Sequence, residues 1–130
     1  MSDLFSSFSI AASGMEAQAR RLRHVSENIS NADTPGYRRK TVDFRAEIDR
    51  ASGTTQVSVG PVQLDPRALP RIYDPGHALA DETGFYDGST VDLMIEIADA
   101  REASRSYDAN LRVFDQTRQM AQGLLDLLRR

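Results

Sequence analysis

Two histidines and two groups of cations are the side chains with the most chemical potential in this sequence. His77 stands in Asp74-Pro75-Gly76-His77, with Asp81 and Glu82 close behind. A histidine near carboxylates can hold a metal or move a proton. A metal site needs three or four converging ligands, and this segment offers one imidazole. Its aspartates and glycine read more simply as turn chemistry. His24 lies beside Leu22 and Val25, where an interface role is the simpler reading. Arg20-Arg21-Leu22-Arg23-His24 and Arg38-Arg39-Lys40 could contact phosphates. They lack interleaved aromatics, so solvated surface, or ion pairs to carboxylates of a neighbouring subunit, explains them more simply. Ser52-Gly53-Thr54-Thr55 lacks the lysine and second glycine of a phosphate-binding loop, and no serine sits in a nucleophile-elbow pattern. The residues therefore point away from an enzyme: no catalytic residue, cofactor, metal, small-molecule substrate or nucleic-acid partner is expected.

The bulk numbers agree. The chain has 130 residues, 16 Lys+Arg against 19 Asp+Glu, and a formal net charge of −3. Of the cations 15 are Arg, with Lys40 alone as lysine. A dedicated nucleic-acid binder needs a surplus of cations. Absent cysteine excludes disulfides, thiol chemistry and Cys-based zinc sites, leaving packing or partners to hold the fold. No run of about 18 apolar residues suggests a membrane span. The N-terminal Met-Ser-Asp-Leu-Phe-Ser-Ser-Phe has neither the basic start nor the continuous apolar stretch of a cleavable signal. The chain is expected to stay in the cytoplasm or to leave by a route without such a signal.

What could position functional side chains is set by proline. All five prolines lie between positions 35 and 75, and proline breaks helix interiors. Residues 1–34 and 91–130 can therefore be long helices, with 35–90 as loop and short strands. In the first, Phe5, Phe8, Ala12, Met15, Ala19, Leu22, Val25 and Ile29 recur at near-heptad spacing, the period of a helix packed on another helix. Asp3 is the expected N-cap, and Thr34-Pro35-Gly36 after the last turn has the signature of a type II turn. In the second, Leu93, Ala100, Tyr107, Phe114, Ala121 and Leu128 recur every seven residues, with Ile97, Ser104, Leu111, Arg118 and Leu125 as a companion set.

About 26 residues of helix span ~39 Å and about 38 span ~57 Å. The shorter helix cannot cover the whole longer seam, and a leftover apolar stripe favours oligomerisation. In the middle, Thr41-Val42-Asp43-Phe44 is expected to be extended. Val57 and Val59, then Val62 and Leu64, read as strands bent at Gly60-Pro61, in a hairpin-like arrangement with a flexible tip at 51–55. So little apolar content hardly forms its own core, so partial order at best is expected of this segment alone. The fold class expected is mainly α: two long terminal helices in a coiled-coil-like pair, joined by loop and short β-strands.

Ser26-Glu27-Asn28-Ile29-Ser30-Asn31-Ala32-Asp33-Thr34-Pro35-Gly36-Tyr37 closely resembles the N-terminal signature of bacterial flagellar axial (rod and hook) proteins. Ser30 replaces the usual alanine. Four later segments resemble the proximal-rod members of that family: Tyr73 to His77, Ala80 to Phe85, Val91 to Glu96, and Ala103 to Asn110. Asp87-Gly88-Ser89-Thr90 stands where the family usually has a Pro-Asn pair, and Asp108 where it has glutamate.

The resemblance implies a structural subunit of the proximal rod of the flagellar basal body. In the family, both terminal helices pair in an inner coiled-coil layer and polymerise into a torque-transmitting shaft that spans the periplasm. Subunits are exported unfolded by the flagellar type III apparatus, with recognition expected around Leu4, Phe5 and Phe8. Implied partners are copies of the chain itself, other proximal and distal rod proteins, the junction at the rod base with the MS ring, and the export apparatus. The expected subunit interface runs along Phe5, Phe8, Met15, Leu22, Val25 and Ile29 on one helix. On the other it runs along Leu93, Ile97, Tyr107, Leu111, Phe114, Leu125 and Leu128. Asn28, Asn31, Thr34, Pro35, Gly36 and Tyr37 are expected to shape the turn leaving the first helix, and Ser104, Arg105, Tyr107 and Asn110 form a C-terminal motif. The rival expectation is a soluble coiled-coil adaptor or export chaperone in the cytoplasm, which accounts for the seams but not for the Thr-Pro-Gly-Tyr turn.

Overall fold

The computed structural model describes residues 2–130. Two helices carry half the chain: α1, Ser2–Ser30, and α2, Leu93–Leu128. The architecture is the expected one, two long terminal helices with short antiparallel strands between them. Among the described residues, no helix is long and apolar enough to cross a membrane.

Asp3 lies inside the first turn of α1 rather than capping it, where its charge favours the positive end of the helix dipole. The N-cap of α2 is Asp92, whose carboxylate accepts the Met94 N–H at 3.0 Å. That satisfies one donor the helix cannot satisfy itself.

Between the helices the chain forms two ribbons. β1 (Lys40–Thr41) pairs with β4 (Gln63–Leu64), and β2 (Phe44–Ile48) with β3 (Thr55–Val59). The pairs are nested and antiparallel, so residues 40–64 make one bent hairpin. The first strand skips Val42 and Asp43; the second skips Gly60, Pro61 and Val62, one residue more. Such a mismatch bends a ribbon, and Pro61 has no N–H to continue the ladder. The expected bend is therefore present, but Thr41 to Phe44 is interrupted rather than one strand. At the tip, the Asp49 carboxylate accepts from Ala51 N and Ser52 Oγ, while Gly53 turns the chain at φ 68°.

The second ribbon, β5 (Arg71–Tyr73) with β6 (Phe85–Asp87), was not among the expected elements. Its long loop is closed by Asp81, which accepts from Thr83 N, Thr83 Oγ and Phe85 N and pairs with Arg71. These bonds hold the Asp81 carboxyl far below its ordinary range, with the Thr83 hydroxyl as the largest cause. His77 belongs to the same loop: Nδ1 accepts the Leu79 N–H at 3.1 Å and the ring stacks on Tyr86 at 3.9 Å.

α1 and α2 run antiparallel, as paired contacts along them show. Asn28 meets Glu96, Gly14 meets Asn110, and Phe8 meets Phe114 edge-to-face at 5.0 Å. The buried stripe is not the one marked by the largest apolar side chains. On α1 it is Ala11, Gly14, Ala17, Val25 and Asn28; on α2 it is Glu96, Ala103 and Thr117. Ala12 and Ala19, expected in the seam of α1, face solvent. Small residues let two helices approach closely, and a β-carbon on Gly14 would sit 2.8 Å from the Asn110 side chain. Close approach leaves no room for bulky side chains on the shared face, so several of them lie outside it.

Candidate functional site

The best-organised site is the junction where α1 ends and α2 begins. Asn28 is its centre and is fully buried. Its Oδ1 accepts from the Tyr37 hydroxyl and from the Lys40 backbone N–H, both at 2.9 Å. Its Nδ2 donates to the Lys40 carbonyl at 2.9 Å and to Glu96 Oε2 at 3.3 Å. The amide thus grips the Lys40 backbone as a neighbouring strand would, and draws a carboxylate from the distant helix. A buried amide with all its groups bonded is stable where a half-satisfied one would be costly.

The turn between them follows from its residues. Asn31 Nδ2 donates to the Glu27 carbonyl at 2.9 Å, and Asn31 Oδ1 accepts from Thr34 Oγ1 at 3.1 Å, folding the chain back on the last helical turn. Pro35 and Gly36 occupy the two central positions of the next turn, with Gly36 at φ 74° and the Tyr37 N–H donating to the Thr34 carbonyl at 3.2 Å. That is the expected type II geometry, and it aims the Tyr37 hydroxyl at Asn28. Gly36 N–H then reaches the carbonyls of Asp87 and Gly88, Thr90 N–H reaches the Tyr37 carbonyl, and Thr90 Oγ1 accepts the Arg39 N–H at 2.8 Å. Ser89 Oγ donates to the Ala32 carbonyl. Ser89 and Thr90 therefore dock the turn to the start of α2.

Charge completes the junction. Glu96 is fully buried and pairs with Arg39, which also pairs with Asp99. Asp99 and Glu102 each lie 3.4 Å from Arg21. Lys40 pairs with Glu27, and that bond is the main cause that lowers the Glu27 carboxyl and raises the Lys40 ammonium. Burial first, then the negative charges of Glu27 and Glu96, push the Tyr37 phenol above its usual value, while Lys40 opposes them. The two basic clusters are thus largely matched by carboxylates of the same chain. Arg38 instead donates to the carbonyls of Asp65 and Arg67. His24 Nδ1 is buried and has no hydrogen-bond partner among the described residues; it lies 3.7 Å from Glu27.

The expected interface residues divide sharply. Val25 is buried between the helices; Phe8, Met15, Leu22, Tyr107 and Phe114 are half-buried along the pair. Phe5, Ile29, Leu93, Ile97, Leu111, Leu125 and Leu128 are exposed, Phe5 at 67% and Leu128 at 76%. At the end of the pair far from the junction, Leu4, Phe5, Phe8, Ala121, Leu124, Leu125 and Leu128 line an apolar groove of about 220 Å³. In the C-terminal motif, Asn110 packs on Gly14 and Tyr107 is half-buried, while Ser104 and Arg105 are exposed. Ser104 and Arg105 border a shallow groove with Ile29, Ile97, Ala100 and Arg101.

Glu96, Asp99 and Thr90 were not picked out as site residues from sequence, and Arg39 was read only as part of a basic cluster, its carboxylate partners proving to lie on the same chain. A usable signal existed in Glu96, Ala103, Asn110 and Thr117, which recur every seven residues. Three of the four are polar, so a search for apolar stripes passes over them.

The comparisons with known proteins bear on these same segments. Residues 8–38 match a family model described as flagella basal body rod protein, and residues 82–127 one described as flagellar basal body rod FlgEFG protein C-terminal. The chain is 48% identical to the flagellar basal-body rod protein FlgC of Agrobacterium fabrum, covering 99% of this chain and 98% of that one. It is 33% identical to FlgC of Salmonella typhimurium over 90% of this chain and 92% of the other, and 30% identical to FlgC of Buchnera aphidicola subsp. Baizongia pistaciae with the same coverage.

Proposed function

The chain belongs to the FlgC family of flagellar basal-body rod proteins, and we propose from that premise that it is a non-enzymatic structural subunit of the proximal rod. The observation that carries the reading is the division of the helix pair. One end is closed by a satisfied polar junction, while large apolar side chains on both helices stand in solvent. Contiguous apolar surface of this kind, as in the groove between Phe5 and Leu128, marks a site of interaction.

In the rod, the exposed columns of α1 and α2 meet other copies and other rod proteins. Interfaces between unlike surfaces do not close on themselves and generate helical assemblies. The chain is exported unfolded by the flagellar type III apparatus and orders as it is added. The hairpin of residues 40–64, anchored to α1 by the Val57 N–H on Ser13 Oγ at 3.1 Å, lies outside the helix pair and is placed to touch neighbouring subunits. The family-motif turn fixes where that hairpin leaves α1.

Electron cryotomography of basal bodies in a clean deletion strain tests the reading. The expected result is an inner-membrane ring without a rod, restored by the wild-type gene. Complete rods in a deletion strain with no second copy of the gene would overturn it and favour the cytoplasmic adaptor. A paired substitution, Pro35→Ala with Gly36→Val, is expected to impair rod assembly more than export; normal motility would remove the turn from the account.

A further inference from the structure

We propose that the free edge of β2 pairs with the β2 edge of a second copy of the chain, antiparallel and centred on Ala46. Such a two-fold contact closes on itself after two copies, unlike the open-ended contacts that build a filament. The inference therefore stands apart from the role in the rod.

The hairpin has two edges, and only one is covered. β3 lies along α1, where the Val57 N–H donates to Ser13 Oγ at 3.1 Å. β2 is exposed at all five residues. The bonds that bracket the ladder show which of its backbone groups are already used. The Asp49 N–H donates to the Thr54 carbonyl and the Gly60 N–H to the Asp43 carbonyl, both at 2.8 Å. Bonded positions alternate along an antiparallel pair. Arg45 and Glu47 therefore turn their N–H and C=O groups toward β3. Phe44, Ala46 and Ile48 turn theirs outward, where the described residues offer no partner. Val57, opposite Ala46, obeys the same alternation by turning its N–H out to Ser13. An uncovered row of donors and acceptors is a template for another strand.

The side chains select which strand. When two β2 edges meet antiparallel about Ala46, Phe44 of each falls opposite Ile48 of the other, and Arg45 falls opposite Glu47. Phe44, Ala46 and Ile48 then exchange N–H and C=O bonds with the second copy. Arg45 and Glu47 take the non-hydrogen-bonded positions, where facing side chains come closest. Opposite charges facing there stabilise a sheet, and like charges weaken it. Neither side chain is spent elsewhere: among the described residues, no ion pair includes Arg45 or Glu47. Phe44 and Ile48, 36% and 70% exposed, supply the apolar pairs on the opposite face. A slip by two residues sets Arg45 against Arg45 in one sense and Glu47 against Glu47 in the other. A slip by one turns bonded groups away from each other. The edge is thus complementary to itself in a single register.

A contact this short belongs with weak interfaces, so it is read at high protein concentration. Sedimentation velocity of the full chain over a rising concentration series is expected to show monomer passing into dimer. Arg45→Glu and Glu47→Arg each place two like-charge pairs in the contact, and each is expected to weaken the dimer at least about tenfold. Their helix content by circular dichroism should not change, because both side chains are exposed. An equimolar mixture of the two variants is expected to recover the dimer, since each then meets the opposite charge on the other. The double variant, Arg45→Glu with Glu47→Arg, should recover it alone. A chain that stays monomeric throughout the series overturns the proposal and leaves the edge to a strand of another protein. Dimers that persist in both single variants also overturn it, and move self-association to the apolar groove of the helix pair. A mixture that associates no better than its components overturns it as well.

Discussion

The buried junction and the far end of the helix pair are built on opposite principles. At the junction, Asn28 and Glu96 are fully buried and every atom of the Asn28 amide is bonded. At the far end, Phe5, Leu125 and Leu128 stand in solvent, Leu125 at 53% exposure. A polar junction is demanding about geometry, because each missing partner costs a desolvated group. An apolar surface is permissive and gains from any shape-matched cover. The first kind of contact suits defining one chain's shape, and the second suits joining chains. The contrast explains how a small protein with a core of Ala11, Ala17, Val25 and Ala103 can have a definite form and still carry uncovered apolar surface.

Substitutions at the two ends should therefore separate stability from assembly. The largest loss of stability is expected from Asn28→Ala, which removes the partners of Lys40 N–H, Lys40 O and Tyr37 Oη together. It should cost on the order of 3 kcal/mol in denaturant unfolding of the isolated chain. Gly14→Val comes next: its β-carbon falls within 2.8 Å of Asn110, and overpacking of that kind costs about 2 kcal/mol by the same measurement. Gly36→Val is smaller, about 1 kcal/mol, because nothing lies within 4 Å of its β-carbon and only the positive φ is strained. A larger loss at Gly36 than at Asn28 would break the view that the amide rather than the turn holds the junction.

The subtlest effect is one of pH and sharpens the comparison from outside the helix pair. The folded Asp81 carboxyl is held below its unfolded range, so its contribution is complete above about pH 4 and fades as pH falls through the depressed folded value. The Thr83 and Phe85 amide signals, followed by NMR, should stay in place through about pH 4, where an ordinary aspartate titrates, and shift only at lower pH. Asp81→Asn should abolish that titration while leaving the junction signals of Asn28 unchanged.

Much of this was legible in the sequence because it is local. The prolines bracket the middle segment, Gly36 takes the positive φ its turn signature demands, and Gly60-Pro61 marks the bend. The ribbon of β5 and β6 escaped because its pairing is closed by Asp81 across a long loop rather than by a tight turn. The junction escaped for a stronger reason. Asn28 and Glu96 are 68 residues apart, and neither an asparagine nor a glutamate announces burial. The heptad reading found the helices and the apolar part of their contact, Val25 and Phe8 with Phe114, but not the small and polar residues that are most deeply buried there. Periodicity gives the faces of a helix; which face meets its own chain depends on what can approach closely.

The central claim, that the exposed apolar end joins subunits while the junction shapes the chain, is tested most directly by Leu125→Ser with Leu128→Ser. Both side chains are more than half exposed, so the unfolding free energy of the isolated chain should change by less than about 0.5 kcal/mol. The amount of the chain in purified basal bodies, measured against the wild type in a deletion background, is the deciding quantity. The account predicts a folded protein missing from the basal bodies and a non-motile strain. Normal incorporation with normal motility would contradict it.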